Sequence, residues 1–114
     1  MIVYKVKGVS AFNWLLYEYR RGSSSRGLEF SLSIKEFARL TKLPCYYCGG
    51  LPCMVKKRHR FSYVYNGVDR KDNNKGYTKA NSVACCHRCN MAKGAMSIDE
   101  FYGWIESVHK HSFR

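Results

Sequence analysis

Four of the six cysteines in this chain of 114 residues fall into two matched pairs, Cys45-Tyr-Tyr-Cys48 and Cys86-His-Arg-Cys89. Two C-x2-C pairs are the spacing with which thiolates close on a tetrahedral Zn2+, since each pair can reach one ion from a single tight turn. Cys53 and Cys85 are left over; Cys85 could replace its neighbour Cys86 as a ligand, although Cys86 gives the regular spacing. The alternative to zinc is a set of buried free thiols. The opening residues, MIVYKVKGVS, have no signal-peptide core, so the thiols are expected to stay reduced in an intracellular, cytoplasmic protein.

A second group of residues offers oxygen rather than sulfur. Asp69 ends an apolar run and Asn90 lies on the Cys-rich helix, and both are hard donors of the kind Mg2+ or Mn2+ takes. Two protein ligands leave room for water and a phosphate oxygen, the requirement for metal-assisted phosphodiester cleavage. Local turn and cap chemistry is the other reading of these two residues. The charge agrees with a polyanionic partner, because 20 Lys and Arg against 8 Asp and Glu leave +12. Nucleic acid, DNA or RNA, is the partner this implies. No basic amphipathic helix, lipidation signal or stretch of transmembrane length points to a membrane. Lys56, Lys57, Arg58 and Arg60 form a basic run around His59, and together with Lys71 they are candidates for phosphate contact; a solvated loop is the alternative.

The elements that must position these groups follow from periodicity. Ile2 to Lys7 is too short and mixed to classify. Phe12, Leu15, Leu16 and Tyr19 recur on one helical face from Ser10, with Arg20 and Arg21 closing the helix and Gly22 to Gly27 forming a loop, a flexible connector with a phosphate cradle as the alternative. Leu28, Phe30 and Leu32 alternate as a short strand. Ser33-Ile-Lys-Glu36 is a capping box opening a helix that buries Ile34, Phe37 and Leu40 and stops at Pro44. Phe61 to Tyr65 is a strand, after which Asn66-Gly67 either forms a hairpin or bends the chain into Val68-Asp69-Arg70. A polar loop from Lys71 to Asn81 leads to a strand at Ser82 to Cys85, then a helix from about His87 to Lys93 ended by Gly94. Ser97-Ile-Asp-Glu100 caps a last helix whose buried stripe is Phe101, Trp104, Ile105 and Val108, with a frayed tail from His109.

The order CYYCGG, NGVDRKDNNKGYTKANSVACCHRCNMAKG and SIDEF resembles the HNH endonuclease family, in particular small phage and bacterial members, from about Arg26 to Ile105. The resemblance implies an α+β, treble-clef-like ββα-metal fold with a four-Cys zinc site and flanking helices. Asp69 then resembles the metal-binding Asp that ends the first strand, and Asn81 the Asn that fixes the loop by hydrogen bonding. Asn90 falls where many members carry His and phage junction-resolving members carry a metal-binding Asn. Lys93 resembles a helix Lys near phosphate, and Cys45, Cys48, Cys86 and Cys89 resemble the zinc ligands.

One position departs from the family pattern. Arg70 stands directly after Asp69, where the family carries the general-base His, and a guanidinium stays protonated and cannot accept that proton. Either Arg70 stabilises charge while the metal activates water, or cleavage is lost, or another group serves as base: His87, three residues before Asn90 on the same helix face, with His59 behind it. The expectation is a single domain over 1–114, with a helix and strand over 1–32 and a zinc-stabilised core over 33–114. It is expected to act in a bacterial or phage-infected host, as a monomer or homodimer, cutting or nicking DNA with Mg2+ or Mn2+ while Zn2+ holds the fold. Its rivals are a nucleic-acid-binding or protein-interaction module of the same build that has lost cleavage.

Overall fold

The computed structural model describes residues 9–113, so the Ile2 to Lys7 segment lies outside the described residues. The first helix, α1, runs Val9–Ser25 and buries Ala11, Phe12, Leu15 and Leu16. It continues past Arg21 through the serine run expected as a loop. The hydroxyls of Ser23 and Ser25 donate to the carbonyls of Arg20 and Gly22 at 2.9 and 3.0 Å, so these serines serve the helix instead of competing with it. The stop comes at Gly27, at φ 67, where Leu28 N–H reaches Ser23 O at 2.8 Å and Gly27 N–H reaches Ser24 O at 3.1 Å. This is a Schellman closure, and it needs a residue that adopts the left-handed region without strain.

The strand expected over Leu28 to Leu32 is reduced to a bridge in which Phe30 pairs parallel with Tyr77. Tyr77 N–H donates to Glu29 O at 2.8 Å and Ser31 N–H to Tyr77 O at 3.0 Å, and Gly76 allows the two backbones to come this close. Helix α2, Ile34–Lys42, begins at the capping box of Ser33 and Glu36 and buries Phe37, Leu40 and Thr41. Phe12, Leu15, Leu16, Leu32, Phe37, Leu40, Tyr65, Val68 and Tyr77 form the core cluster. Burying each such side chain contributes about 1.5–3 kcal/mol.

Two antiparallel pairs follow. Strands β1 (Met54–Arg58) and β2 (Phe61–Tyr65) pair Met54 with Tyr65 and Arg58 with Phe61. The basic run is therefore a strand and a tight turn, with His59 at φ 56, and not an open loop. Strands β3 (Gly67–Arg70) and β4 (Ser82–Cys85) pair Gly67 with Cys85 and Arg70 with Ser82. Between β2 and β3 the chain bends at Asn66. Its backbone N–H donates to Thr41 O at 2.8 Å and its Nδ2 to Leu43 O and Gly50 O at 2.9 and 3.1 Å.

Helix α3, His87–Lys93, follows β4 directly, giving a strand, strand, helix unit. Helix α4, Ile98–Ser112, starts at the Ser97 and Glu100 capping box and continues through the tail expected to fray. Of its expected stripe only Phe101 is buried, packed edge-on to the Tyr47 ring at 5.4 Å. Trp104, Ile105 and Val108 are 50%, 43% and 45% exposed, because only the first turn lies against the body while the same stripe runs on into the open.

Two glycines test this packing with opposite signs. A Cβ on Gly76 would lie 2.2 Å from Glu29 O, whereas a Cβ on Gly103 meets nothing within 4 Å. Gly76→Ala should destabilise by roughly 1–3 kcal/mol through overpacking. Gly103→Ala, inside α4, should stabilise by about 0.5–1 kcal/mol. Denaturant midpoints of the zinc-loaded chains measure both, and a tolerated Gly76→Ala would contradict the bridge between Phe30 and Tyr77.

Candidate metal centres

The sulfurs of Cys45, Cys48, Cys86 and Cys89 lie within 4.8 Å of one another. The first pair is shaped by a turn after Pro44: Cys45 N–H donates to Gly50 O at 2.8 Å, Gly49 N–H to Cys45 O at 2.9 Å, and Gly50 N–H points at Cys48 Sγ at 3.4 Å. The second pair is the start of α3, where Cys86 is the N-cap and its sulfur accepts from Cys89 N–H at 3.4 Å. Tyr46 N–H to Ala84 O at 2.8 Å fastens the turn to β4, so the halves meet through backbone as well as sulfur.

Zinc–sulfur bonds of about 2.3 Å in a tetrahedron put sulfurs roughly 3.8 Å apart. Cys48 Sγ and Cys86 Sγ are 3.7 Å apart, and the whole set needs only slight contraction to fit one ion. Burial raises the Cys45 thiol, but backbone amides of Cys86, Cys48 and Tyr47 outweigh it and hold that thiol at about 7. Zinc takes thiols in their deprotonated form, so acid works against metal binding. Cys85 is buried and turns its sulfur to Cys86 O at 3.4 Å, outside the four; Cys53 is exposed and also apart from them.

A separate cavity of about 480 Å³ is walled by β3, α3 and α1, and Asp69 and Asn90 both line it. The strand, strand, helix unit therefore brings together the two oxygen donors singled out in the sequence. Asp69 is buried, with Oδ2 accepting from Tyr47 Oη at 2.7 Å and facing Lys93 Nζ at 3.2 Å. Asn90 is exposed at the rim. A carboxylate and an amide oxygen at one cavity suit a hard divalent cation with open positions. Asn81 is buried; its Nδ2 donates to Asp72 O and Gly76 O at 3.1 and 2.9 Å, and its Oδ1 accepts from Asp72 N–H at 2.9 Å.

Other residues are placed differently from the sequence reading. Arg70 lines the cavity, but its Nη1 donates to Asn73 O and Lys75 O at 2.7 and 3.0 Å and its guanidinium covers the Tyr77 ring at 5.5 Å. It braces the loop after β3. Lys93, expected beside phosphate, is 1% exposed and engaged with Asp69 and with Arg70 O at 3.2 Å, so it is closed to a phosphate. His87 is exposed and does not line the cavity, and His59 sits in the β1–β2 turn, outside the cavity lining. Strand alternation splits the basic run: Lys56 pairs with Glu18 at 2.6 Å and Arg58 covers Trp14 at 4.1 Å, while Lys57 points outward. Arg60 is exposed, its guanidinium 5.7 Å from the Phe61 ring centroid, and Lys71 is half-buried with its N–H on Asn81 O at 2.8 Å.

Sequence reasoning passed over Tyr47, gave Tyr19 only a place on the buried face of a helix, and named Arg26 only within a loop that is a connector or a phosphate cradle. Tyr19 lines the cavity from α1 and Arg26 from the turn that follows it, and Tyr19 Oη accepts from Val68 N–H at 3.0 Å. Burial pushes the Tyr19 hydroxyl well above its usual range, so it keeps its proton at neutral pH. Two aromatics inside a Cys pair were the signal for Tyr47. Nothing in the local sequence ties Arg26 to Asp69.

Removing zinc should abolish the cooperative fold, since structural zinc contributes on the order of 10 kcal/mol, more than a small domain's net stability. Circular dichroism melts with a chelator, alongside zinc content, measure this. Cys86→Ser should lose both metal and fold, and Cys53→Ser should keep both. A metal-free chain with an unchanged melting transition would contradict the assignment.

No family model matches the chain. The uncharacterized protein R423 of Acanthamoeba polyphaga mimivirus is 36% identical over 83 residues, which cover 73% of this chain and 14% of that protein. The chain thus spans about one seventh of the length of the curated relative it matches. The solved structure of the rare-cutting HNH restriction endonuclease PacI is similar at a TM-score of 0.59 and 19% identity, covering 86% of this chain and 76% of that chain. With four sulfurs gathered at the start of α3 and an antiparallel strand pair running into that helix, this likeness places the chain on the HNH-type, zinc-ligand-bearing ββα-metal fold.

Proposed function

We propose that the chain is a divalent-metal-dependent endonuclease that cuts or nicks DNA. The observation that carries this reading is the meeting of Asp69 and Asn90 at one cavity of an HNH-type fold, with Arg26 and Arg70 on its walls. Asp69 and Asn90 would hold Mg2+ or Mn2+, which supplies polarisation of a phosphodiester and stabilisation of the leaving oxygen. Arg26, exposed at the cavity, has its Nε on Gly22 O at 3.0 Å and its Nη2 3.5 Å from Tyr77 Oη, and its remaining guanidinium N–H groups would meet phosphate oxygens. Arg70 adds fixed positive charge to the wall while its own donors are occupied by loop carbonyls. Lys57 and Arg60 on the hairpin are the members of the basic run free to meet the backbone of a nucleic acid.

Neither arginine accepts a proton, and Tyr19 keeps its own. A divalent cation held by Asp69 and Asn90 would supply the acidity that activates water, and these three side chains would bind and orient the phosphate without taking the water's proton. One cavity per chain nicks a single strand, and cutting both strands takes two chains. Among the described residues no histidine lines the cavity, and this favours a second reading, a nucleic-acid-binding module that no longer cleaves. RNA in place of DNA is a variant of either.

Supercoiled plasmid incubated with Mg2+ or Mn2+ separates the two. The native chain should nick it, and Asp69→Ala and Asn90→Ala should each be slower by about 100-fold or more, the scale on which a lost charge-stabilising group acts. Equal nicking by all three chains would contradict the site. No nicking by the native chain, with binding that weakens steeply as salt rises, would support the non-cleaving module.

A further inference from the structure

We infer that Tyr47, inside the zinc-binding turn, is a positioning residue for the cation-binding carboxylate of Asp69, so that the four-sulfur site sets the geometry of the second metal site. Its consequence for cleavage rests on the nuclease reading; its consequence for cation binding does not.

Tyr47 lies between Cys45 and Cys48, and its position is fixed when those cysteines close on metal. Its ring is held on three sides, edge-on to Tyr46 at 5.2 Å, to Phe101 at 5.4 Å and to Tyr102 at 6.1 Å. A flat side chain with two torsions, held in this way, can aim its hydroxyl in one direction only. That direction is Asp69 Oδ2, at 2.7 Å. Lys93 Nζ, at 3.2 Å, addresses the same oxygen from α3. Donors from two different elements thus converge on Oδ2, which stops the carboxylate from turning about its last torsion and leaves Oδ1 as the oxygen for an ion. An O–H···O− bond to an ionised carboxylate is among the strong ones. Groups that orient a metal ligand in this way typically change metal affinity by about 10- to 100-fold when removed.

The competing account is that the hydroxyl merely satisfies a buried carboxylate, which would affect stability and leave cation affinity alone. Tyr47→Phe separates the two because it removes the hydroxyl and keeps the ring against Phe101. Mn2+ binding to the zinc-loaded full chain, followed by the paramagnetic resonance signal of free Mn2+, reads the site without any cleavage assay. Tyr47→Phe should bind Mn2+ about 10-fold or more weakly with zinc content unchanged, while Tyr46→Phe, in the same turn but exposed, should match the native chain. In nicking, the Mg2+ needed for half-maximal rate should rise while the rate at saturating Mg2+ is retained. Native Mn2+ affinity in Tyr47→Phe would overturn the inference. So would a native chain whose Mn2+ binding survives Asp69→Ala, or a Tyr47→Phe chain that loses zinc along with Mn2+, which would assign the hydroxyl to the fold. If the Mn2+ results come out as expected and the native chain does not nick DNA, the positioning role stands and the nuclease reading fails.

Discussion

Four sulfurs drawn from two distant parts of the chain come within 4.8 Å of one another, and the rest of the molecule is arranged around that convergence. The turn after α2 carries one pair and the end of β4 carries the other, so closing them on an ion fixes α2 and the strand pair in one frame. The chain otherwise has modest means of doing so. Among the described residues there are two sheets of two strands each, and the last helix is largely in the open. A metal clip that closes the long loop between the two cysteine pairs adds to what this core supplies.

The second constraint is a buried charge. Asp69 and Lys93 are both buried, and neither could be left alone there without a cost of several kcal/mol. Lys93 pairs with Asp69 and also donates to Arg70 O, which ties α3 to the end of β3, the same junction at which the cavity opens. The helix lysine that sequence analogy puts at the phosphate thus acts one step behind it, on the carboxylate. Arg70 has moved likewise, from the place of a proton acceptor to a brace across the loop of Asn73 and Lys75.

What could be read in the sequence was whatever depends on local chemistry. The two C-x2-C turns, the capping boxes at Ser33 and Ser97 and the strand, strand, helix order around Asp69 and Asn90 are each decided by a few neighbouring residues. What could not be read depends on partners far along the chain. The serines of α1 look like a linker until their hydroxyls are seen on helical carbonyls. Gly76 looks like loop composition until Glu29 is seen against it. The basic run looks continuous until strand alternation turns Lys56 to Glu18 and Arg58 to Trp14. Trp104, Ile105 and Val108 have core spacing, yet among the described residues they stay about half exposed, and spacing cannot reveal that.

Under the proposed reading, two metal sites of different chemistry are joined by one hydrogen bond: thiolates at Cys45, Cys48, Cys86 and Cys89, and oxygen donors at Asp69 and Asn90, with Tyr47 between them. Anomalous scattering from crystals of the zinc-loaded chain soaked in Mn2+, collected at both metal edges, tests it most directly. The expected result is two resolved ions, zinc inside the four sulfurs at about 2.3 Å from each and manganese bound by Asp69 Oδ1 and Asn90. Manganese absent from the cavity, or zinc held by fewer than four of these sulfurs, would contradict it.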